Sequence, residues 1–146
     1  MRNGTYRKVV VLNCIEIIAW ACLAQAHCQI PCGIYDDDVR ARLMAEHITT
    51  IEKSMKQITE LSAQEKPDYN QIVRWVQNKE DHVERFSEIV TYYFMAQRIK
   101  PADEKDKDAY GAYVRKLTLL HRMLTEAMKA KQTTDPKHVI ELRRLL

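Results

Sequence analysis

The chain has 146 residues, 46% hydrophobic and 29% charged, with only 3 glycines and 4 prolines, which suits one domain and favours helix over sheet. Its formal charge of +3 is largely a property of the first 26 residues, where Arg2, Arg7 and Lys8 outnumber Glu16, so the remainder carries +1. A surface this balanced lacks the concentrated basic face that nucleic acid or an anionic membrane would call for, and both are set aside as partners.

The first segment has the three parts of a secretory signal. Met1–Lys8 is basic, Val9 to Leu23 is largely apolar, and Ala24-Gln25-Ala26 fits an A-x-A cleavage site. Cleavage by a leader peptidase after Ala26 makes His27 the first mature residue. The expected organisation is therefore a removed leader (1–26), a metal-binding hook (27–35) and a helical bundle (36–146). A retained membrane anchor is the competing reading, because the apolar run approaches bilayer length. Asn13 and Glu16 interrupt that run, and its Ala-x-Ala ending points to removal, with no stable membrane association afterwards. Glu16 is also foreign to a secretory core, which keeps a dedicated pro-peptide open. An exported protein, periplasmic or extracellular, follows from the first option and a cytoplasmic one from the second.

Of the four cysteines, Cys14 and Cys22 leave with the leader, and Cys28 and Cys32 remain near the mature N-terminus. Two cysteines so close cannot build a disulfide framework for the domain, and a bridge between them would close too short a loop to stabilise much. Local chemistry is the better explanation for them.

Downstream, Met44, Ile48, Ile51, Met55 and Ile58 alternate by four and three and predict one buried helix face, begun by the acidic run Asp36-Asp37-Asp38. Carboxylates there can cap free backbone N–H groups, so a solvated helix start explains them before any function does. The stretch Ser62 to Asp68, with Pro67, ends that helix. A second carries Ile72, Val76, Val83, Phe86, Val90 and Tyr93, and ends at Pro101 and the solvated charge run Asp103–Asp108. A third apolar face is expected at Tyr110, Val114, Leu117, Leu120 or His121, Leu124 and Met128. Thr134-Asp135-Pro136 then caps a short fourth helix ending at Leu146. Four amphipathic helices on short connections predict an all-α, antiparallel up-and-down four-helix bundle.

The chemistry concentrates in His27-Cys28-Gln29-Ile30-Pro31-Cys32. Once the leader is gone, two thiols, an imidazole and a free α-amine lie within six residues. The amine has a pKa near ~8, so a metal displaces its proton far more easily than it would from lysine, and the Cys28 amide nitrogen then lies in chelating position. Amine, amide nitrogen and two thiolates can form a planar set. Such coordination points to nickel or copper rather than to zinc, which prefers four tetrahedral ligands. Pro31 and Gly33 would bend the segment into a loop.

The string His27-Cys28-x-x-Pro31-Cys32-Gly33-x-Tyr35 resembles the N-terminal nickel hook of the nickel-containing superoxide dismutase family. A leader ending just before the histidine, the helices that follow and Tyr93-Phe94 fit the same family. The resemblance implies one nickel ion per subunit, held by the His27 amine, the Cys28 amide nitrogen and the Cys28 and Cys32 thiolates. It also implies the His27 imidazole as an axial ligand in the oxidised state. Superoxide would be converted to dioxygen and hydrogen peroxide by Ni(II)/Ni(III) cycling, with catalytic roles for His27 and for Tyr35, whose hydroxyl orders the incoming oxygen species. A homohexamer is implied as well. Two positions depart from the family pattern: Gln29 stands where well-known members carry aspartate, and Leu43 where some place a carboxylate that orients the histidine. Glu46 or an arginine is the candidate replacement.

Blander readings stand beside these. Cys28 and Cys32 could form a small disulfide in an oxidising compartment, leaving His27 and the cleavage position unexplained. Tyr35 could simply pack the hook against the bundle. His47, His82, His121 and His138 include no pair at i+3 or i+4, and read as capped, partly buried or surface side chains rather than as a second metal site. Trp75, Tyr92, Tyr93 and Phe94 read as core or subunit interface, and Met44, Met55, Met95, Met123 and Met128 as core filler. The rival function is an exported bundle that binds nickel or copper without redox turnover, and a third is a structural bundle bearing a disulfide.

Overall fold

The computed structural model describes residues 33–146, so the leader and the hook residues His27, Cys28 and Cys32 lie outside the described part. Four α-helices follow in order: α1 (Asp37–Ser62), α2 (Tyr69–Glu88), α3 (Lys107–Gln132) and α4 (Lys137–Leu145). A π-helical segment, Ile89–Arg98, directly continues α2. There is no strand among the described residues, and the architecture is the expected all-helical bundle.

Local chemistry sets the helix ends. Asp36, Asp68 and Asp106 are the N-caps of α1, α2 and α3, and each carboxylate accepts a backbone N–H three residues on, at 3.0–3.1 Å. For α4 the Asp135 carboxylate accepts from the Lys137 N–H at 3.0 Å, while Pro136 occupies the cap position rather than the first turn. That helix ends at Leu145, one residue short of the expected end. Short connections oblige consecutive helices to lie side by side: α1 runs along α2, α3 packs against α2 and the π-helical segment, and α4 packs on both α3 and α1.

The core takes Met44, Ile48, Ile51 and Met55 from α1, as their spacing predicted, with Val83 and Phe86 from α2 and Val90 from the π-helical segment. Val139, Leu142 and Leu145 close it from α4. Two expectations need correcting. Val76 on α2 is exposed, and the third face is turned: α3 buries Leu120, Met123, Ala127 and Ala130, while Val114, His121 and Met128 face outward. Ala127 and Ala130 are fully buried where helices approach closely, so large apolar residues mark the wrong stripe of a helix whose core side is partly alanine.

Polar groups also tie the bundle. Lys79 is only 4% exposed, and its ammonium donates to the carbonyls of Ala130, Lys131 and Thr133, which helix geometry leaves without partners at the end of α3. Ser54, buried on α1, accepts from Asn78 Nδ2 at 2.9 Å and donates to the Thr50 carbonyl. Arg143 on α4 reaches Glu52 on α1 at 2.7 Å.

Candidate metal centre

The described residues begin at Gly33, directly after Cys32 in the sequence. Gly33 has φ of +78°, the left-handed region that a side chain disfavours, and a Cβ built there would meet nothing within 4 Å. Backbone conformation, not space, calls for glycine just after Cys32. Ile34 is then almost fully exposed, and Tyr35 turns back onto the bundle.

Tyr35 is held through its ring. Its edge meets Tyr93 with centroids 5.9 Å apart and planes at 80°, and the Arg98 guanidinium lies 4.6 Å from the ring centroid. At 39% exposed it still presents surface to solvent. Tyr93 is buried, stacked edge-on against Phe94, with the Arg40 guanidinium 5.1 Å from its ring.

Asp37 joins these supports. The Tyr93 hydroxyl donates to Asp37 Oδ1 at 2.6 Å, and Arg98 clamps both carboxylate oxygens, Nε to Oδ1 and Nη2 to Oδ2, each at 2.8 Å. The Arg98 hydrogen bonds, and after them the Tyr93 hydroxyl, hold the Asp37 carboxyl below its ordinary value. Burial, reinforced by the facing Asp37, pushes the Tyr93 phenol up, so it remains a donor. A recess of about 290 Å³ beside them is lined by Tyr35, Asp36, Asp37, Asp38 and Arg98.

The acidic run is thus more than a solvated helix start. Asp36 is the cap, and Asp37 is the anchor through which the first turn of α1 grips the π-helical segment. Five residues separate Tyr93 from Arg98, which in an α-helix would set them roughly 140° apart. The wider π turn, with i→i+5 pairing such as Ile99 N–H to Phe94 O at 2.9 Å, brings both onto one carboxylate. Helical spacing in the sequence identified Tyr93 but gave no sign of this winding, and Arg98 was missed with it. Tyr92, grouped with the aromatics of the core or subunit interface, is 51% exposed. Glu46 is exposed on α1, and its charge acts on His47 and His82.

Among the described residues no group of three or more His, Cys, Asp or Glu is placed to hold a metal ion. In the sequence the dense donor set is the string of residues 27–32, with an imidazole and two thiols within six residues, to which cleavage after Ala26 would add an amine. These soft and borderline donors suit nickel. The turn at Gly33 leads into Tyr35, whose ring is fixed on the bundle.

The described residues form an all-helical bundle whose first turn is pinned by an aromatic and guanidinium cluster, and the donor-rich string of residues 27–32 precedes it in the sequence. The family model for nickel-containing superoxide dismutase matches residues 22–146, and the chain belongs to that family. Membership makes it a member of an oxidoreductase family that contains nickel and takes superoxide as substrate. No characterised protein and no solved structure matches the chain.

Proposed function

We propose that the chain beginning at His27 is a nickel-dependent superoxide dismutase whose catalytic centre is the hook, with His27, Cys28 and Cys32 holding the metal. The observation that carries this is the string His27-Cys28-x-x-Pro31-Cys32-Gly33-x-Tyr35 inside a chain that matches the family over residues 22–146. The His27 amine and imidazole, the Cys28 amide nitrogen and the Cys28 and Cys32 thiolates would hold the nickel, and these anionic sulfur and amidate donors would give it the one-electron Ni(II)/Ni(III) chemistry that dismutation needs.

The protein's own part is positioning and proton control. Asp37 is held ionised by Arg98 and Tyr93, so near neutral pH it has no proton to give, and the Tyr93 proton is committed to it. Tyr35, fixed by its ring contacts with its surface half open, is left to order superoxide and peroxide at the hook. A mature chain that starts at His27 needs leader removal, one nickel per subunit and assembly into a homo-oligomer, six chains by family resemblance. The basic start, apolar run and Ala-x-Ala end of the leader support export; among the described residues no helix is long and apolar enough to cross a membrane.

Pulse radiolysis of the nickel-loaded protein beginning at His27 tests the reading. Catalytic superoxide decay that disappears when nickel is withheld is the expected result. Tight nickel binding without accelerated decay would instead establish a sequestering protein.

A further inference from the structure

His47 on α1 and His82 on α2 are 35 residues apart in sequence, yet their Nδ1 atoms lie 3.0 Å from each other. The rings meet edge-on, centroids 5.0 Å apart and planes at 68°, and both are partly exposed at the bundle surface. As a hydrogen-bonded pair one Nδ1 must donate and the other accept. We propose that these two imidazoles form a divalent-cation site separate from the hook, bridging α1 and α2 and taking one Ni²⁺ or Cu²⁺ ion with water completing its shell.

Imidazole nitrogens suit nickel and copper. The 3.0 Å spacing is set by the pair's own hydrogen bond, and it is close to the separation of about 3.0 Å between two nitrogens bound at right angles at about 2.1 Å, so the pair can reach such an arrangement by turning one ring. Binding moves one ring's hydrogen from Nδ1 to Nε2 and turns that ring so both lone pairs converge; it releases no proton while both rings are neutral. Burial, then the neighbouring positive charge, holds both imidazoles below their ordinary value, which keeps them in the binding form. The charged groups facing the pair are Glu46 from α1 and Asp81 and Arg85 from α2. The two carboxylates favour a cation and Arg85 opposes it, so with only two protein ligands the site is far weaker than the proposed hook.

The test uses nickel-loaded mature protein, its hook filled and free metal removed, titrated with NiCl₂ in a calorimeter at pH 7.5. One further equivalent per chain should bind, at least tenfold more weakly in His47→Gln and in His82→Gln. In ¹⁵N spectra of the histidine rings, Ni²⁺ should broaden His47 and His82 before His121 and His138, a readout that needs no substitution. Equal uptake by wild type and both variants, no uptake by the wild type, or simultaneous broadening of all four rings would overturn the site. Because the hook is filled throughout, none of these outcomes bears on dismutation.

Discussion

At the level of single residues, the centre depends on side chains whose neighbours decide what they can do. Tyr35→Phe keeps the ring contacts with Tyr93 and Arg98 and loses only the hydroxyl, so nickel content should be normal and the rate should change chiefly at high superoxide; pulse radiolysis across a concentration series reads this. Asp37→Asn breaks the double clamp of Arg98 and weakens the acceptor for Tyr93, so Tyr35 loses its fixed backing. Nickel content should again hold while the rate falls several-fold, and an unchanged rate would show that the cluster only supports the fold. The His47–His82 pair sets a pH dependence. Its folded imidazoles titrate below the ordinary value of 6.5, so its contribution to stability is complete above that value and is lost as pH falls through the lowered folded values. Urea unfolding from pH 7 to 5 should show the slope, and the double variant His47→Gln/His82→Gln should flatten it. What the sequence revealed at this scale was sharply divided. The proposed hook donors and Tyr35 stand out because they are neighbours in the chain, whereas Asp37, Arg98 and the histidine pair act through partners 35 to 61 residues away, beyond any helical repeat.

Among the elements, α1 was the most legible, since one face of large side chains at four-three spacing is the face it buries. Its neighbours were harder. The α3 core stripe ends in Ala127 and Ala130, whose small side chains carry little pattern, and the π winding of Ile89–Arg98 leaves no mark on hydrophobic period. Lys79 shows why a charged residue can occupy a core position: its stem is buried and its ammonium closes the end of α3. Lys79→Met keeps the stem and strands those carbonyls, so urea denaturation should give a loss of about 1–3 kcal/mol. Gly33→Ala carries a different cost, about 1–2 kcal/mol for placing a side chain at positive φ. If the turn is local to the hook, that cost should appear as weaker nickel retention rather than as a lower melting temperature of the bundle.

For the molecule as a whole, the proposed reading has a small bundle supply rigidity and the hook supply chemistry, which would make maturation and assembly part of the activity. Apolar residues Tyr69, Val73 and Val76 stand exposed at i, i+4 and i+7 on α2, surface that a self-associating chain would cover. Sedimentation of the nickel-loaded mature protein should show an oligomer, and a stable, active monomer would refute the proposed assembly. With Ala26 still attached the His27 nitrogen is an amide and cannot act as an amine ligand, so the precursor should be inactive with nickel supplied, and equal activity in precursor and mature protein would rule that ligand out. The central claim is that the two hook thiolates hold the catalytic metal. Its most direct test is nickel content measured together with the pulse-radiolysis rate for Cys28→Ser and Cys32→Ser in the mature protein. Almost complete loss of superoxide removal in both is the predicted result, and wild-type rates with nickel still bound would contradict it.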